Sequence, residues 1–113
     1  MDLINKNKLH RLRRKNRGNL KLEKAIDSLI AEIERSDWKS PNELKEARPD
    51  ADNVHSDGFY FFNLNIHRTM ILIEFDEDGV ATVVWAGSHQ EYEKTFKNNK
   101  STIKKWLRDN DWI

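Results

Sequence analysis

Arg68-Thr69-Met70-Ile71-Leu72-Ile73-Glu74-Phe75-Asp76-Glu77-Asp78-Gly79-Val80-Ala81-Thr82-Val83-Val84-Trp85-Ala86 is the stretch that decides the fold. Two runs rich in β-branched and aromatic residues, Arg68 to Phe75 and Val80 to Ala86, flank a polar turn whose Asp78-Gly79 pair is a hairpin signal. With Asp78 and Gly79 as the central residues, Glu77 pairs with Val80. That register sets Ile73 opposite Val84, Leu72 opposite Trp85 and Arg68 opposite His89. One face then carries Ile71, Ile73, Phe75, Val80, Thr82, Val84 and Ala86, and suits a helix packed on it. The other carries Arg68, Met70, Leu72, Glu74, Ala81, Val83, Trp85 and, with the strand continued, His89. A turn centred on Glu77-Asp78 moves the register by two and leaves the faces unchanged.

Upstream, Phe59-Tyr60-Phe61-Phe62-Asn63-Leu64 is a further strand, separated from Arg68 by Asn65-Ile66-His67, so the expectation is a three-stranded antiparallel meander. Asp50 to Asp57 is polar and reads as a loop. Ser40-Pro41-Asn42-Glu43 is a capping box with proline at the first helical position, and Pro49 keeps that helix short. Leu22, Ala25, Ile26, Leu29, Ile30 and Ile33 recur at helical spacing over residues 20–35. Before them, Asn5 is the candidate N-cap of a cationic helix reaching about Asn16, with Gly18 as terminator, and Leu3-Ile4 is a very short strand. Downstream, Ile103, Trp106 and Leu107 mark a last helix that Asp109-Asn110-Asp111 ends.

At 113 residues the chain reads as one domain, 1–113, large enough for a single modest core. It has no cysteine, which excludes a disulfide framework and thiolate metal sites. No apolar run approaches the length of a membrane span, so the expectation is a soluble cytoplasmic protein without membrane partners. The net charge of +1 conceals an asymmetry. Residues 1–24 hold nine basic and two acidic groups, a balance of +7; residues 25–93 hold five and fifteen, −10; residues 94–113 hold six and two, +4. Basic ends of this kind suit a polyanion, although solvated helix faces without a partner have the same composition.

Past the last strand comes Gly87-Ser88-His89-Gln90-Glu91-Tyr92. Imidazole titrates near neutral pH without help, and a phenol can donate or shuttle a proton. Alone, His-x-x-Tyr is a weak signal. His89 and Glu93 stand at i, i+4, but two such residues do not make a zinc site, and no metal or cofactor is expected. His10 reads as solvent-facing, His55 as a loop residue and His67 as part of a hairpin turn. Trp38, Trp85 and Trp106 read as packing residues.

Helices first, then a meander, then a strand ending in Gly-Ser-His-x-Glu-Tyr: in this order the chain resembles the HigB family of toxins, the ribosome-dependent mRNA interferases of type II toxin–antitoxin systems. The matching residues are Ile4 with Lys8-Leu9, Trp38-Lys39-Ser40-Pro41, Leu44-Lys45, Pro49, Ala51-Asp52, Phe62-Asn63-Leu64 and Gly87-Ser88-His89 with Glu91-Tyr92. The resemblance covers residues 1–95, and 96–113 look like a C-terminal helical extension. It implies an α+β, RelE-like fold, with N-terminal helices packed on a small antiparallel sheet. It also implies metal-independent endoribonuclease chemistry by 2′-hydroxyl attack. His89 and Tyr92 would be catalytic, Tyr92 by moving a proton or instead by stacking on a base. Arg68 joins them as a catalytic cation through the inferred register, with Lys39 and Lys45 as auxiliary cations. Lys39, Lys45, Arg11, Arg13, Arg14, Lys104 and Lys105 would bind RNA or the ribosome. The implied partners are mRNA on the ribosome and a cognate antitoxin, a small helix-turn-helix protein of the HigA type. One departure stands out. The family commonly has a Gly-Asn turn followed by Tyr-Arg-Leu, whereas here Met70 occupies the arginine's position. Arg68 lies two residues earlier on the same strand face, about 7 Å away along it. The alternative reading is a non-catalytic RNA- or protein-binding domain on the same fold.

Overall fold

The computed structural model describes residues 1–113. In chain order it has β1 (Asp2–Ile4), α1 (Asn7–Lys15), α2 (Leu20–Arg35), α3 (Pro41–Ala47), β2 (Asp52–His55), β3 (Phe59–Leu64), β4 (His67–Glu74), β5 (Val80–Ser88), α4 (His89–Phe96) and α5 (Lys100–Asp109). The strands form one mixed sheet in the order β1-β5-β4-β3-β2. Its antiparallel centre is the expected meander. Two further strands extend it: β1 runs parallel to β5, and β2 forms inside the polar segment expected to be a loop. In β2 only Val54 is buried, so hydropathy alone hides the strand. No helix is long and apolar enough to cross a membrane.

The helical half follows its local chemistry. Asn19 caps α2 by accepting from the Leu22 N–H at 3.1 Å, and Ser40 caps α3 by accepting from the Glu43 N–H at 3.3 Å. Leu22, Ile26, Leu29 and Ile33 form the buried stripe of α2, and it packs with Leu9 and Leu12 of α1 against Ile71, Ile73, Ala81 and Val83. Asn5 is not the N-cap of α1. Lys6 holds that place without a side-chain hydrogen bond, while Asn5 turns the chain at φ 66° and donates from its amide to the Val83 carbonyl at 3.3 Å.

The hairpin register departs from the expected one. Glu74 pairs with Val80 and Ile73 with Ala81, so a five-residue loop, Phe75 to Gly79, replaces the two-residue turn. β5 opens at Val80 because β1 docks there, with the Asp2 N–H donating to the Gly79 carbonyl at 3.3 Å. The offset is three residues, an odd number, so it exchanges the faces of β5. Ala81 and Val83 face the helices with Ile71 and Ile73, while Val84 turns to the opposite side. An irregularity between Met70 and Ile71 restores the parity farther on, where Thr69 pairs with Ala86 and Arg68 with Gly87 rather than His89.

The opposite face is not open. Val54, Phe59, Phe61, Met70 and Val84 build a second core there with Tyr92 and Phe96 of α4 and Ile103 and Leu107 of α5. The sheet is therefore covered on both sides, by two cores rather than one, and residues 96–113 supply part of the second. Trp38 packs in the helical core, and Trp85 and Trp106 pack on the second.

Candidate functional site

Ser88 ends β5 and caps α4. Its hydroxyl accepts from the Glu91 N–H at 3.1 Å, and the Glu91 carboxylate accepts from the Ser88 N–H at 2.9 Å. His89 is thus the first residue of a helix rather than a continuation of the strand, and Tyr92 lies one turn on, facing inward. Ser-x-x-Glu was the sequence signal for this helix. Gly87 serves a close approach: a Cβ there would meet the Trp85 ring at 2.7 Å and the Glu91 carboxylate at 3.2 Å.

A cleft of about 450 Å³ opens at the β3–β4 turn, lined by Asn63, Asn65, Ile66, His67, Arg68 and His89. Arg68 and His89 share it despite the changed register, because the start of α4 returns His89 to the strand end that carries Arg68. Arg68 is held over two rings, its guanidinium carbon 4.5 Å from the centroid of Tyr92 and 5.8 Å from that of Phe61. His89 is open to solvent, its side chain 62% exposed, with Nε2 3.5 Å from the Glu93 carboxylate. Tyr92 is only 2% exposed, and its hydroxyl donates to Asn98 Oδ1 at 2.9 Å. Burial raises the Tyr92 phenol above its ordinary range against the opposing pull of Arg68. Neither Tyr92 nor Asn98 lines the cleft.

His67 was not expected here. It is the first residue of β4, opposite Ser88, 5% exposed, and its Nδ1 has no hydrogen-bond partner. Burial lowers its pKa, opposed by the Glu91 carboxylate, so the ring is biased to the neutral form, the form able to accept a proton. Nothing in the local sequence separates it from a turn histidine; only the register opposite Ser88 does. Glu91 itself is held below the ordinary carboxylate range, first by the Ser88 N–H and also by Lys15 and His67.

The other candidates are scattered. Lys39 reaches the Glu77 carbonyl at 3.4 Å, at the far end of β4 from the cleft. Lys45 donates to the carbonyls of Pro49 at 2.7 Å and Ala51 at 2.8 Å. Arg13 pairs with Asp27 on α2, whereas Arg11 and Arg14 are exposed. Lys104 and Lys105 lie exposed on α5, Lys105 paired with Asp109 at 2.8 Å. Beside the cleft, Arg48 was missed. It donates to both Asp50 oxygens at 2.9 and 2.7 Å, and Asp50 in turn accepts from the Asn63 N–H at 2.9 Å, fixing the end of β3. Burial pushes the Asp50 carboxyl up, but these bonds together hold it below its ordinary value.

Residues 22–95 match the family model of the HigB toxins, described as the RelE-like toxic component of a toxin–antitoxin system. The chain belongs to the HigB toxin family. No curated protein matches it. Five helices on a five-stranded mixed sheet are consistent with the RelE-like, α+β fold of the family, and membership implies an antitoxin as partner. Within the HigB match lie Arg68, His67, His89 and Tyr92, whereas α1 and α5 lie outside it. Ile4 and Lys8-Leu9, counted above among the resembling residues, precede it.

Proposed function

We propose that this HigB-family chain is a ribosome-dependent mRNA endoribonuclease of the cytoplasm, cleaving by attack of the RNA's own 2′-hydroxyl without a metal. The observation that carries the reading is the convergence of Arg68, His89 and His67 on one cleft. Cleavage of this kind needs a base for the 2′-hydroxyl proton, a cation for the phosphate and an acid for the leaving 5′-oxygen. Arg68 neutralises the phosphate, its fork steadied by the Tyr92 and Phe61 rings. His89, open to the cleft, transfers a proton, and His67 at the cleft wall is positioned to receive one. Tyr92 acts as a positioning residue beneath Arg68. The antitoxin is a small helix-turn-helix protein of the HigA type.

The test is mRNA cleavage in a translating extract, with product ends mapped. Wild type should cut on the ribosome, leave 2′,3′-cyclic phosphates and be nearly inactive on naked RNA. His89→Ala and Arg68→Ala should each lose roughly 10²–10⁴ in rate. Arg68→Lys should recover only part, since an ammonium cannot reproduce the planar fork. Cleavage at the wild-type rate by both alanine variants would leave the cleft as a binding surface only.

A further inference from the structure

We propose that a second groove, between α1 and the end of α5, binds one unpaired nucleotide of an RNA strand, with its phosphate on Lys8, Arg11 and Lys15 and its base against Trp85, Trp106 and Trp112. The groove has a volume of about 280 Å³ and is separate from the cleft. That is near the lower end of small-ligand sites, which suits a single nucleotide and is too small for a partner helix.

Apart from Arg14, the cations in and next to α1 fall into two sets. Lys6 and Arg13 turn toward α2 and pair with Glu34 and Asp27. Lys8, Arg11 and Lys15, spaced i, i+3 and i+7, face the groove, and none of them is ion-paired. Helical spacing lines them along one wall, where they present positive charge to whatever enters.

The facing wall is aromatic. Three of the four tryptophans meet here, each partly exposed and packed on the second core, while Trp38 is buried in the other core. An acidic peptide would satisfy the cations and leave three indole surfaces without a role. A nucleotide uses both walls, because every base has a π-face that stacks on an aromatic ring while its phosphate meets the cations. Glu91, held ionised, also lines the groove and is an acceptor suited to a base amino group. The same carboxylate senses Lys15 and His67, so groove and cleft flank the start of α4. The groove can therefore hold a nucleotide of the strand that enters the cleft. The proposal shares RNA as ligand with the function above but requires no cleavage.

The probe is an uncleavable 2′-O-methyl hexacytidylate, whose bases carry an amino group, compared with an abasic strand of equal phosphate count and with hexaglutamate, read by tryptophan fluorescence at low salt. The base-bearing strand should quench the emission and bind about five- to 150-fold tighter than the abasic one, the range set by one stacked base. Replacing Lys8, Arg11 and Lys15 together with Gln should reduce the slope of log affinity against log salt by about 2. Trp112→Ala should reduce the preference for bases, measured well below the variant's own melting temperature. His89→Ala should keep the wild-type preference for the base-bearing over the abasic strand even where cleavage is lost, which separates this site from the catalytic reading. Equal affinity for the abasic strand, equal affinity for hexaglutamate, or an unchanged salt slope in the triple variant would each overturn the proposal. The probe comparison uses wild-type protein and stands even if a variant misfolds.

Discussion

Leu107→Ala tests whether the C-terminal helix is an appendage or part of the structure. Leu107 is 0% exposed and belongs to the cluster of Phe59, Phe61, Met70 and Phe96. Truncating a fully buried leucine costs about 2–5 kcal/mol, from lost transfer energy and the cavity left behind. A chain of 113 residues has an unfolding entropy for which 1 kcal/mol shifts the midpoint by about 4 °C. The melting temperature should therefore fall by roughly 8–20 °C, followed by circular dichroism. Leu29→Ala in the helical core should cost a similar amount, and the double variant should show nearly additive losses, because the two side chains lie on opposite faces of the sheet. Lys104→Ala, on the exposed side of α5, should move the midpoint by no more than about 2 °C. A Leu107→Ala midpoint within about 2 °C of wild type would refute the packing argument, leaving α5 detached from the second core.

Tyr92→Phe keeps the ring beneath Arg68 and removes the bond to Asn98. It should cost about 0.5–1.5 kcal/mol of stability and less than about tenfold in cleavage, whereas a loss above about 100-fold would show that the phenol itself moves a proton. Burial makes His67 harder to protonate in the folded chain than in the unfolded one, where the ordinary value is 6.5. Its contribution is therefore complete above pH 6.5 and declines as pH falls through that value, until the folded chain also takes up the proton. His67→Gln should flatten the stability curve between about pH 7.5 and 5, measured by urea unfolding. The depressed carboxyls of Asp50 and Glu91 act in a separate window: their contributions persist above 3.8 and 4.5 and are lost below. Gly87→Ala would press a Cβ into the Trp85 ring and should cost about 1–3 kcal/mol, read by the same unfolding assay.

The sequence reveals most where local chemistry is sufficient. Residues 20–35 carry an uninterrupted helical stripe, and the structure has a helix over those residues. The β4 and β5 runs are legible as strands, but their register is not, because the competitor to an Asp-Gly turn is the remote β1. Pairing of Asp2 with Val80 is a tertiary constraint that no local window contains. α4 was legible in Ser88-x-x-Glu91, and the strand reading of the hexapeptide passed over it. His67 shows the limit at the site: its burial and missing partner arise from three-dimensional packing, so its residue type between Ile66 and Arg68 carries no signal.

The parallel pairing of β1 also has a consequence for how the chain is made. Asn5 and the Val83 carbonyl it binds are 78 positions apart. At roughly 5–20 residues per second, about 4–16 s separate the synthesis of those two partners. During that interval α1 and α2 have no completed sheet to cover, and their apolar stripe stays available to chaperones. Closing so long a loop also slows the folding step itself. The cleft requires β4 and the first turn of α4 together, so it takes shape only after residue 89 has emerged. A nascent chain thus has no assembled cleft while most of it is still being translated.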